Sequence, residues 1–407
     1  MEKTWFKEPR FAWIGLGSLW VIGFIGALIR FIMAFFQVQI SQDLEIGRGV
    51  ISMAWSTNLL IAALCAPLGG WLVDRYGPRK ILLLSTLIGM VGTGTVAFGH
   101  GAILFFLGYG IISGFTGLGS TTTYMLIFQW FRHHRAKATG LLASASSLGL
   151  AISTPLFVAE SWLTWKDAFL FSFLLSIIVS LPVTFFGVKG AAAARTERHQ
   201  KAPKARRSPL PPIAGFLPIL ITVAGALFVC GFNMGTVEMN LVAIHQLANV
   251  PKAMIAISMS TLGVMEICGS LLFGFLLDRT NKLAMLMLLY GIRIMGFVLL
   301  FLHLGWSPLI FAIAFGITYL SAIPGGLLIV NEYGKGNGKQ AGWLLLFHQG
   351  GGIIGSLIGG MSYDYFQNYQ ALIGLDVLFC ALIALGYFYL YVTRSRQQVL
   401  QDRSAAS

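Results

Sequence analysis

Three ionisable side chains, Arg30, Glu266 and Arg293, stand deep inside long apolar stretches of this sequence. An ion in the hydrocarbon centre costs about 2.5–3.5 kcal/mol on insertion scales, so such residues usually face a water-filled cavity or a partner. The planar guanidinium of Arg30 can hold a carboxylate through two hydrogen bonds, although a structural pair with Glu238 is an alternative. Glu266 can load a proton from one side of a membrane and release it to the other, or it can stay a neutral, hydrogen-bonded acid. The pattern favours an anion site and a proton-coupling site within a membrane.

Other polar residues inside apolar stretches have more than one interpretation. Substrate contact, a structural ion pair and the lining of a cytoplasmic vestibule all fit Arg293. His348 can bind substrate, carry a proton or serve as a hydrogen-bonded packing residue, and Gln349 beside it is a further substrate-binding candidate. Three titratable residues lie nearer the ends of their stretches, where we expect a wet interface: Glu238, His245 and Asp376.

The composition is that of a membrane protein. Of 407 residues, 56% are hydrophobic and only 11% are charged, and the mean hydropathy of +0.77 is too high for a soluble chain of this length. Apolar windows long enough to cross a hydrocarbon core about 30 Å thick predict about twelve helices. These spans lie near 11–37, 50–73, 81–98, 103–129, 138–161, 168–188, 213–243, 253–277, 283–302, 306–330, 341–363 and 371–393.

The distribution of basic residues predicts the orientation. An even number of spans puts both termini on one side, and most of the 28 Lys and Arg residues lie in connections on that side. Cytoplasmic connections carry the excess of Lys and Arg in membrane proteins. We therefore expect both termini in the cytoplasm and the chain in the cytoplasmic (inner) membrane. The net charge of +13 then reflects topology and contact with anionic lipid, and no nucleic-acid partner is expected.

The sequence gives no sign of enzymatic chemistry. The four cysteines fall inside apolar spans, where no disulfide framework is implied. The glycine-rich segment 350–360 has no preceding strand and no GlyLysSer/Thr, so it predicts close helix packing rather than a phosphate loop. The sequence holds no metal cluster and no nucleophile–base set. We expect no enzymatic activity, no cofactor and no metal, which leaves a gradient as the energy source.

The chain is predicted to have two halves. The polar segment 189–212, rich in cations and ending in prolines, is typical of a flexible cytoplasmic linker between the halves 1–188 and 213–393, with a cytoplasmic tail at 394–407. The charged turn GGWLVDRYGPRK at 69–80 recurs more weakly after Gly274. Internal repetition of six-helix units is typical of transporters built from two pseudo-symmetric halves.

These motifs together resemble the major facilitator superfamily. They are the turn at 69–80, its copy after Gly274, the TrpLysAspAlaPhe that opens span six at 165, and the basic central segment. The runs at 131–140, 290–293 and 347–351 are similar to the bacterial branch related to monocarboxylate and oxalate/formate transporters. The resemblance covers essentially the full chain and implies an all-α membrane fold with twelve transmembrane helices in two pseudo-symmetric six-helix halves.

The resemblance also implies roles for particular residues. Helices one, four, seven and ten of the superfamily line the central path, which makes Arg30, Tyr124 and Asn233 substrate-binding candidates. In many monocarboxylate-type relatives an arginine follows the acid of helix eight by four residues. Here Ser270 stands at that position, so the cation would come from Arg30 or Arg293.

The charged turns are expected to act as a gate latch, with contacts made in one transporter state and lost in the other. Passive anchoring of the topology by basic residues is the alternative. Gly70 is expected to allow a close helix approach and Gly77 a tight turn. The candidate gating residues are Gly70, Asp74, Arg75, Gly77, Arg79, Lys80, Asp278 and Arg279.

The leading hypothesis is a monomeric secondary active transporter that moves a small organic anion, a carboxylate, by proton-coupled alternating access. Arg30 would hold the anion, and Glu266 or His348 would carry the proton. A carrier of a larger polycarboxylate or metal chelate such as a siderophore, and a drug exporter, are alternatives because span four is rich in small and aromatic residues. A membrane sensor without transport is disfavoured by intact charged turns in both halves.

Overall fold

A computed structural model describes residues 8–131, 134–160, 162–188, 213–334 and 338–406. Within these residues, twelve helices are long and apolar enough to cross a membrane. The chain divides into two compact units, Met1–Arg207 and Ser208–Ser407. The predicted all-α membrane fold is confirmed. The predicted linker 189–212 lies outside the described residues, so its boundaries stay a prediction.

The first unit contains six spans. They are α1 (Arg10–Phe35), α2 (Arg48–Tyr76), α3 (Pro78–Phe98), α4 (Gly101–Ile127), α5 (Arg135–Ala159) and α6 (Trp165–Gly187). A short helix, Gln37–Asp43, follows α1. The start of α6 is fixed by a capping box, in which Thr164 and Asp167 exchange hydrogen bonds of 3.1 and 3.2 Å.

The second unit contains the other six spans. They are α7 (Ile213–Leu247), α8 (Lys252–Arg279), α9 (Lys282–Leu302), α10 (Ser307–Val330), α11 (Gly338–Phe366) and α12 (Gln370–Ala406). The predicted ends agree to within a few residues, except that α12 runs on through the predicted tail 394–407 as far as Ala406. That stretch contains no glycine or proline to end the helix.

Span α4 departs from regular α-helix. Its residues Phe106–Ile112 form a π-helix and Ser113–Gly119 a 3₁₀-helix. The small residues of this segment serve close packing, since a Cβ at Gly117 would meet the backbone of Ala62 and one at Gly110 would lie 3.2 Å from the Ala54 carbonyl oxygen. The segment that suggested a roomy site is therefore closely packed against α2.

In the second unit, α7 and α11 pack backbone to backbone. Gly351 and Gly355 face the carbonyl groups of Phe228 and Phe232, and Gly359 faces the side chain of Asn240. Residues four apart lie on the same face of a helix, so these glycines form one flat stripe along α11. The prediction of close helix packing for this glycine-rich segment is confirmed.

Candidate functional site

The first unit contains a polar cavity of about 240 Å³ among α1, α2, α3, α4 and α6, which we call the N-terminal cavity. Arg30, half-buried, is the one charged residue among the described residues that line it. The other polar lining residues are Asn58, Ser85, Thr86, Thr93, Tyr109, Ser113, Thr116, Ser176 and Ser180. The cavity therefore combines a single cation with a ring of hydroxyl groups.

Six of the hydroxyl groups that line the N-terminal cavity donate their hydrogens to backbone carbonyls. Ser85 donates to the Thr116 carbonyl at 2.8 Å, and Thr93, Ser113 and Ser176 donate to carbonyls of their own helices. Since a hydroxyl has only one hydrogen to donate, the guanidinium of Arg30 is the lining group best suited to bind a negative charge.

The second unit buries a network around Arg293, which is 0% exposed on α9. Its Nη1 donates to Asn233 Oδ1 at 3.1 Å, and its Nη2 donates to the carbonyls of Thr318 (2.9 Å) and Tyr319 (3.3 Å). Its Nε donates to Thr318 Oγ1 at 3.3 Å, and its Nη2 reaches the Cys230 sulfur at 3.6 Å. Protein groups thus engage the guanidinium on every nitrogen.

Asn233 on α7 links this arginine to an acid. Its Oδ1 accepts hydrogen bonds from Arg293 and from the Cys380 thiol (3.2 Å), and its Nδ2 donates to Asp376 Oδ1 at 2.7 Å. Asp376, on α12, is 0% exposed. We call Arg293, Asn233 and Asp376 the buried triad.

His348 on α11 joins the edge of this region. Its Nδ1–H donates to the Leu227 carbonyl at 3.2 Å, and the imidazole also contacts the Cys230 thiol. Tyr319 donates a hydrogen bond from its hydroxyl to Glu238. The contacts of Cys230 therefore connect two predicted site residues, His348 and Arg293.

Other predicted site residues lie elsewhere. Glu266 is buried at the packing interface of α8 and α10 and is not among the contacts of the buried triad. Gln349 is exposed, next to the half-buried His348. Tyr124, on α4, is 46% exposed and does not line the N-terminal cavity. The substrate-binding roles of Gln349 and Tyr124 and the coupling role of Glu266 stay predictions.

The expected wet interface is wrong for two of three residues. Asp376 is 0% exposed and His245 is 1% exposed, while Glu238 is half-buried. Position near the end of an apolar stretch did not predict exposure, because exposure depends on how many helices pack around the residue.

The first charged turn has the geometry that its sequence predicts. α2 ends at Gly77, whose φ of +88° favours glycine, and Pro78 opens α3 at its first position. Arg79 donates a hydrogen bond to the Phe185 carbonyl and lies 4.6 Å above that ring, so the turn is tied to the end of α6. Asp74, Arg75 and Lys80 are exposed.

A close helix approach occurs at Gly69, where a Cβ would meet the backbone of Leu118 on α4, and the approach expected at Gly70 stays a prediction. The second charged turn is built differently, because Asn281 caps α9 by accepting hydrogen bonds from the backbone of Leu283 and Ala284. Arg279 lies 4.1 Å above the Phe275 ring, and Asp278 is exposed.

The gate-latch hypothesis predicts that Asp74→Asn slows transport without affecting membrane insertion, because the amide keeps the size of the side chain and removes its charge. A latch worth about 1.4 kcal/mol in the slow step would change the rate about tenfold. The matched control is Asp364→Asn, another exposed acid. Wild-type transport by Asp74→Asn protein would refute the latch.

Twelve spans in two six-helix units, with Arg30 lining a polar cavity in one and Arg293 buried in the other, define a multi-pass membrane protein of the transporter class. The family model of the Major Facilitator Superfamily matches residues 19–333, and the chain belongs to this superfamily.

Relatives and solved structures agree with this family. The chain is 26% identical to the uncharacterized MFS-type transporter YcxA of Bacillus subtilis, over 93% of this chain and 95% of that protein. It is 25% identical to monocarboxylate transporter 4 of Rattus norvegicus, over 99% of this chain and 89% of that protein. The fold is similar to the nucleoside transporter NupG (TM-score 0.73, 15% identity, 93% of this chain and 100% of that chain). It is also similar to a bacterial homologue of the lysosomal transporter Spinster (TM-score 0.72, 16% identity, 94% and 97%). The predicted resemblance to the monocarboxylate-like branch is confirmed.

Proposed function

We propose that the protein moves a small organic anion, a carboxylate, together with a proton across the cytoplasmic (inner) membrane by alternating access. Both termini lie in the cytoplasm, where most basic residues of the connections are expected. The substrate is not chemically changed during transport.

The observation that carries this proposal is the single cation of the N-terminal cavity. Arg30 lines it without another charged residue among the described lining groups, and a guanidinium binds a carboxylate through parallel hydrogen bonds. A volume of about 240 Å³ is below the roughly 300–1,000 Å³ typical of pockets for drug-sized ligands. A small anion therefore suits this cavity better than a siderophore.

Similarity to a relative supports the same substrate class. Monocarboxylate transporter 4, as its name says, carries monocarboxylates, and it aligns with nearly all of this chain. The buried acids and His348 supply groups that can hold a proton inside the membrane. A proton moving with a carboxylate would use a pH gradient as the energy source.

Arg30→Ala is predicted to reduce uptake of a carboxylate by more than about tenfold, because a hydrogen bond to a charged group contributes about 1.5–3 kcal/mol. The measurement is uptake of labelled lactate, pyruvate and formate into proteoliposomes with an imposed inward proton gradient. Wild-type uptake should saturate and should stop when a protonophore collapses the gradient. Arg30→Lys should retain part of the activity, since it keeps the charge without the planar fork.

The control is Lys252→Ala, which removes one exposed cation at the start of α8. It should transport at the wild-type rate. Unchanged uptake in Arg30→Ala would contradict the role of Arg30. Binding of iron-loaded chelates with no carboxylate uptake would contradict the substrate class.

A further inference from the structure

Asp376 is an acid enclosed by protein in the second unit. It is 0% exposed on α12, a span that packs against α7, α9 and α11. Its Oδ1 accepts the hydrogen bond from Asn233, whereas neither its buried Oδ2 nor the neighbouring Thr236 hydroxyl makes a hydrogen bond of normal geometry among the described residues. Buried polar atoms are nearly always paired, and an exception calls for an explanation. An oxygen that alternately gains and loses a proton supplies one.

The amide of Asn233 has only one orientation that satisfies its neighbours. A guanidinium can only donate hydrogen bonds, so the amide oxygen must face Arg293. The amide nitrogen then faces Asp376 and donates to it at 2.7 Å. Any change of charge on the carboxyl group therefore acts on the same amide that accepts from Arg293 at 3.1 Å.

Arg293 makes no direct hydrogen bond to an acid among the residues that the structure describes. Its partners among the described residues are amide, hydroxyl, carbonyl and thiol groups, none of them a carboxylate. Asp376 interacts with Arg293 electrostatically, and Asn233 is hydrogen-bonded to both. A buried cation is stabilised by a nearby opposite charge, because the low dielectric of the interior strengthens the attraction.

The other titratable groups around Asp376 come from each helix packed against it. α7 contributes the Cys230 thiol, α9 contributes Tyr290 and Arg293, and Cys380 lies on α12 itself. α11 contributes His348, which contacts Cys230. Thr236 on α7 also lies beside the carboxyl group. Glu238, also on α7, lies at the edge of this region, where it accepts from Tyr319 and interacts electrostatically with His348. Asp376 is the acid that Asn233 links to Arg293.

We propose that Asp376 is the residue that takes up and releases the transported proton, and that Asn233 transmits its charge to Arg293. The inference rests on the proposed function of proton-coupled anion transport. A proton from the aqueous phase binds the carboxylate of Asp376, and no other covalent bond changes. Protonation removes the negative charge that stabilises the guanidinium of Arg293. An organic anion bound at Arg30 then restores the overall balance of charge. Proton and anion are loaded together, in equal number for a monovalent anion.

The first test separates coupling from movement of the substrate. In Asp376→Asn proteoliposomes, accumulation of labelled lactate driven by a proton gradient should fall to the level of empty liposomes. Exchange of labelled external lactate for unlabelled internal lactate should persist, because exchange needs no net proton release. Asp364→Asn, an exposed acid on α11, is the control and should do both. Proton-driven accumulation at the wild-type level in Asp376→Asn protein would overturn the proposal. So would a result in which Glu266→Gln protein loses proton-driven accumulation and Asp376→Asn protein keeps it.

The second test does not depend on the substrate. Infrared difference spectra of the wild-type protein between high and low pH should contain a carboxylic acid carbonyl band that Asp376→Asn removes and Asp364→Asn keeps. If wild-type protein does not transport a carboxylate substrate but the band behaves in this way, the proposed substrate class is wrong, whereas the uptake and release of a proton by Asp376 is supported. A band unchanged in Asp376→Asn would overturn the inference.

A second variant covers the case in which Asp376→Asn does not fold. Asn233→Ala keeps the acid and removes the link to Arg293. It should lose proton-driven accumulation of lactate while the infrared band persists. Full accumulation in Asn233→Ala would show that the link is not used and would overturn the proposal.

Discussion

Replacing Arg293 with alanine is expected to destabilise the protein by roughly 3 kcal/mol or more and to abolish transport. Asn233 Oδ1 and the carbonyls of Thr318 and Tyr319 all accept hydrogen bonds from the guanidinium. Each buried acceptor left unpaired costs about 1–3 kcal/mol. The guanidinium also lies 5.0 Å from the Phe315 ring and 5.5 Å from the Tyr290 ring, and these contacts would be lost as well.

The measurement is the temperature at which purified protein in detergent loses its monodisperse elution peak. Arg293→Lys should be intermediate, because an ammonium keeps the charge but cannot reach the same acceptors with a planar fork. Lys252→Ala should match the wild type, since this cation is exposed. Equal stability of Arg293→Ala and Lys252→Ala would contradict the arrangement of the buried network.

The fold was predictable because its determinants are local. The length and hydropathy of each apolar stretch follow from the thickness of the membrane, and the turn at Gly77 and Pro78 follows from the backbone preferences of two residues. The helix ends differ from the prediction where charged residues follow an apolar stretch. α2 continues through Asp74 and Arg75 to Tyr76, because hydrated charges at a helix end do not break it. The helix ends only where Gly77 and Pro78 follow.

The site was predictable in part. The cost of an ion in hydrocarbon singled out Arg30 and Arg293, and both are in polar surroundings. Sequence could not pair Arg293 with Asn233, because 60 residues separate them and they meet only where α7 and α9 both pack against α10 and α12. The burial of Asp376 also depends on helix packing that the sequence does not reveal. The sequence does indicate that Asp376 is unusual, since no other charged residue lies between Gln370 and Tyr391. Its distance from the end of the span, however, does not measure its burial.

Two adjacent glycines of α11 provide the sharpest test of the packing that holds the buried triad. A Cβ at Gly351 would lie 2.9 Å from the Phe228 carbonyl carbon and 2.9 Å from the Phe232 nitrogen, both backbone atoms of α7. A Cβ at Gly350 would meet nothing within 4 Å. Alanine is favoured over glycine in a helix by about 1 kcal/mol. Overpacking costs about 1–3 kcal/mol.

The two substitutions should therefore change stability in opposite directions. Gly350→Ala should leave the thermal stability in detergent unchanged or raise it, whereas Gly351→Ala should lower it despite the same gain in helix propensity. Because Asn233 and Cys230 lie on α7, displacement of this helix in Gly351→Ala should also disturb the hydrogen bonds to Arg293 and reduce lactate accumulation. Equal stability of the two variants would mean that α7 and α11 do not pack through this glycine stripe. The two changes are chemically identical and one residue apart. A loss of thermal stability in Gly351→Ala alone is therefore expected only if the backbones of α7 and α11 touch at the face of α11 that contains Gly351.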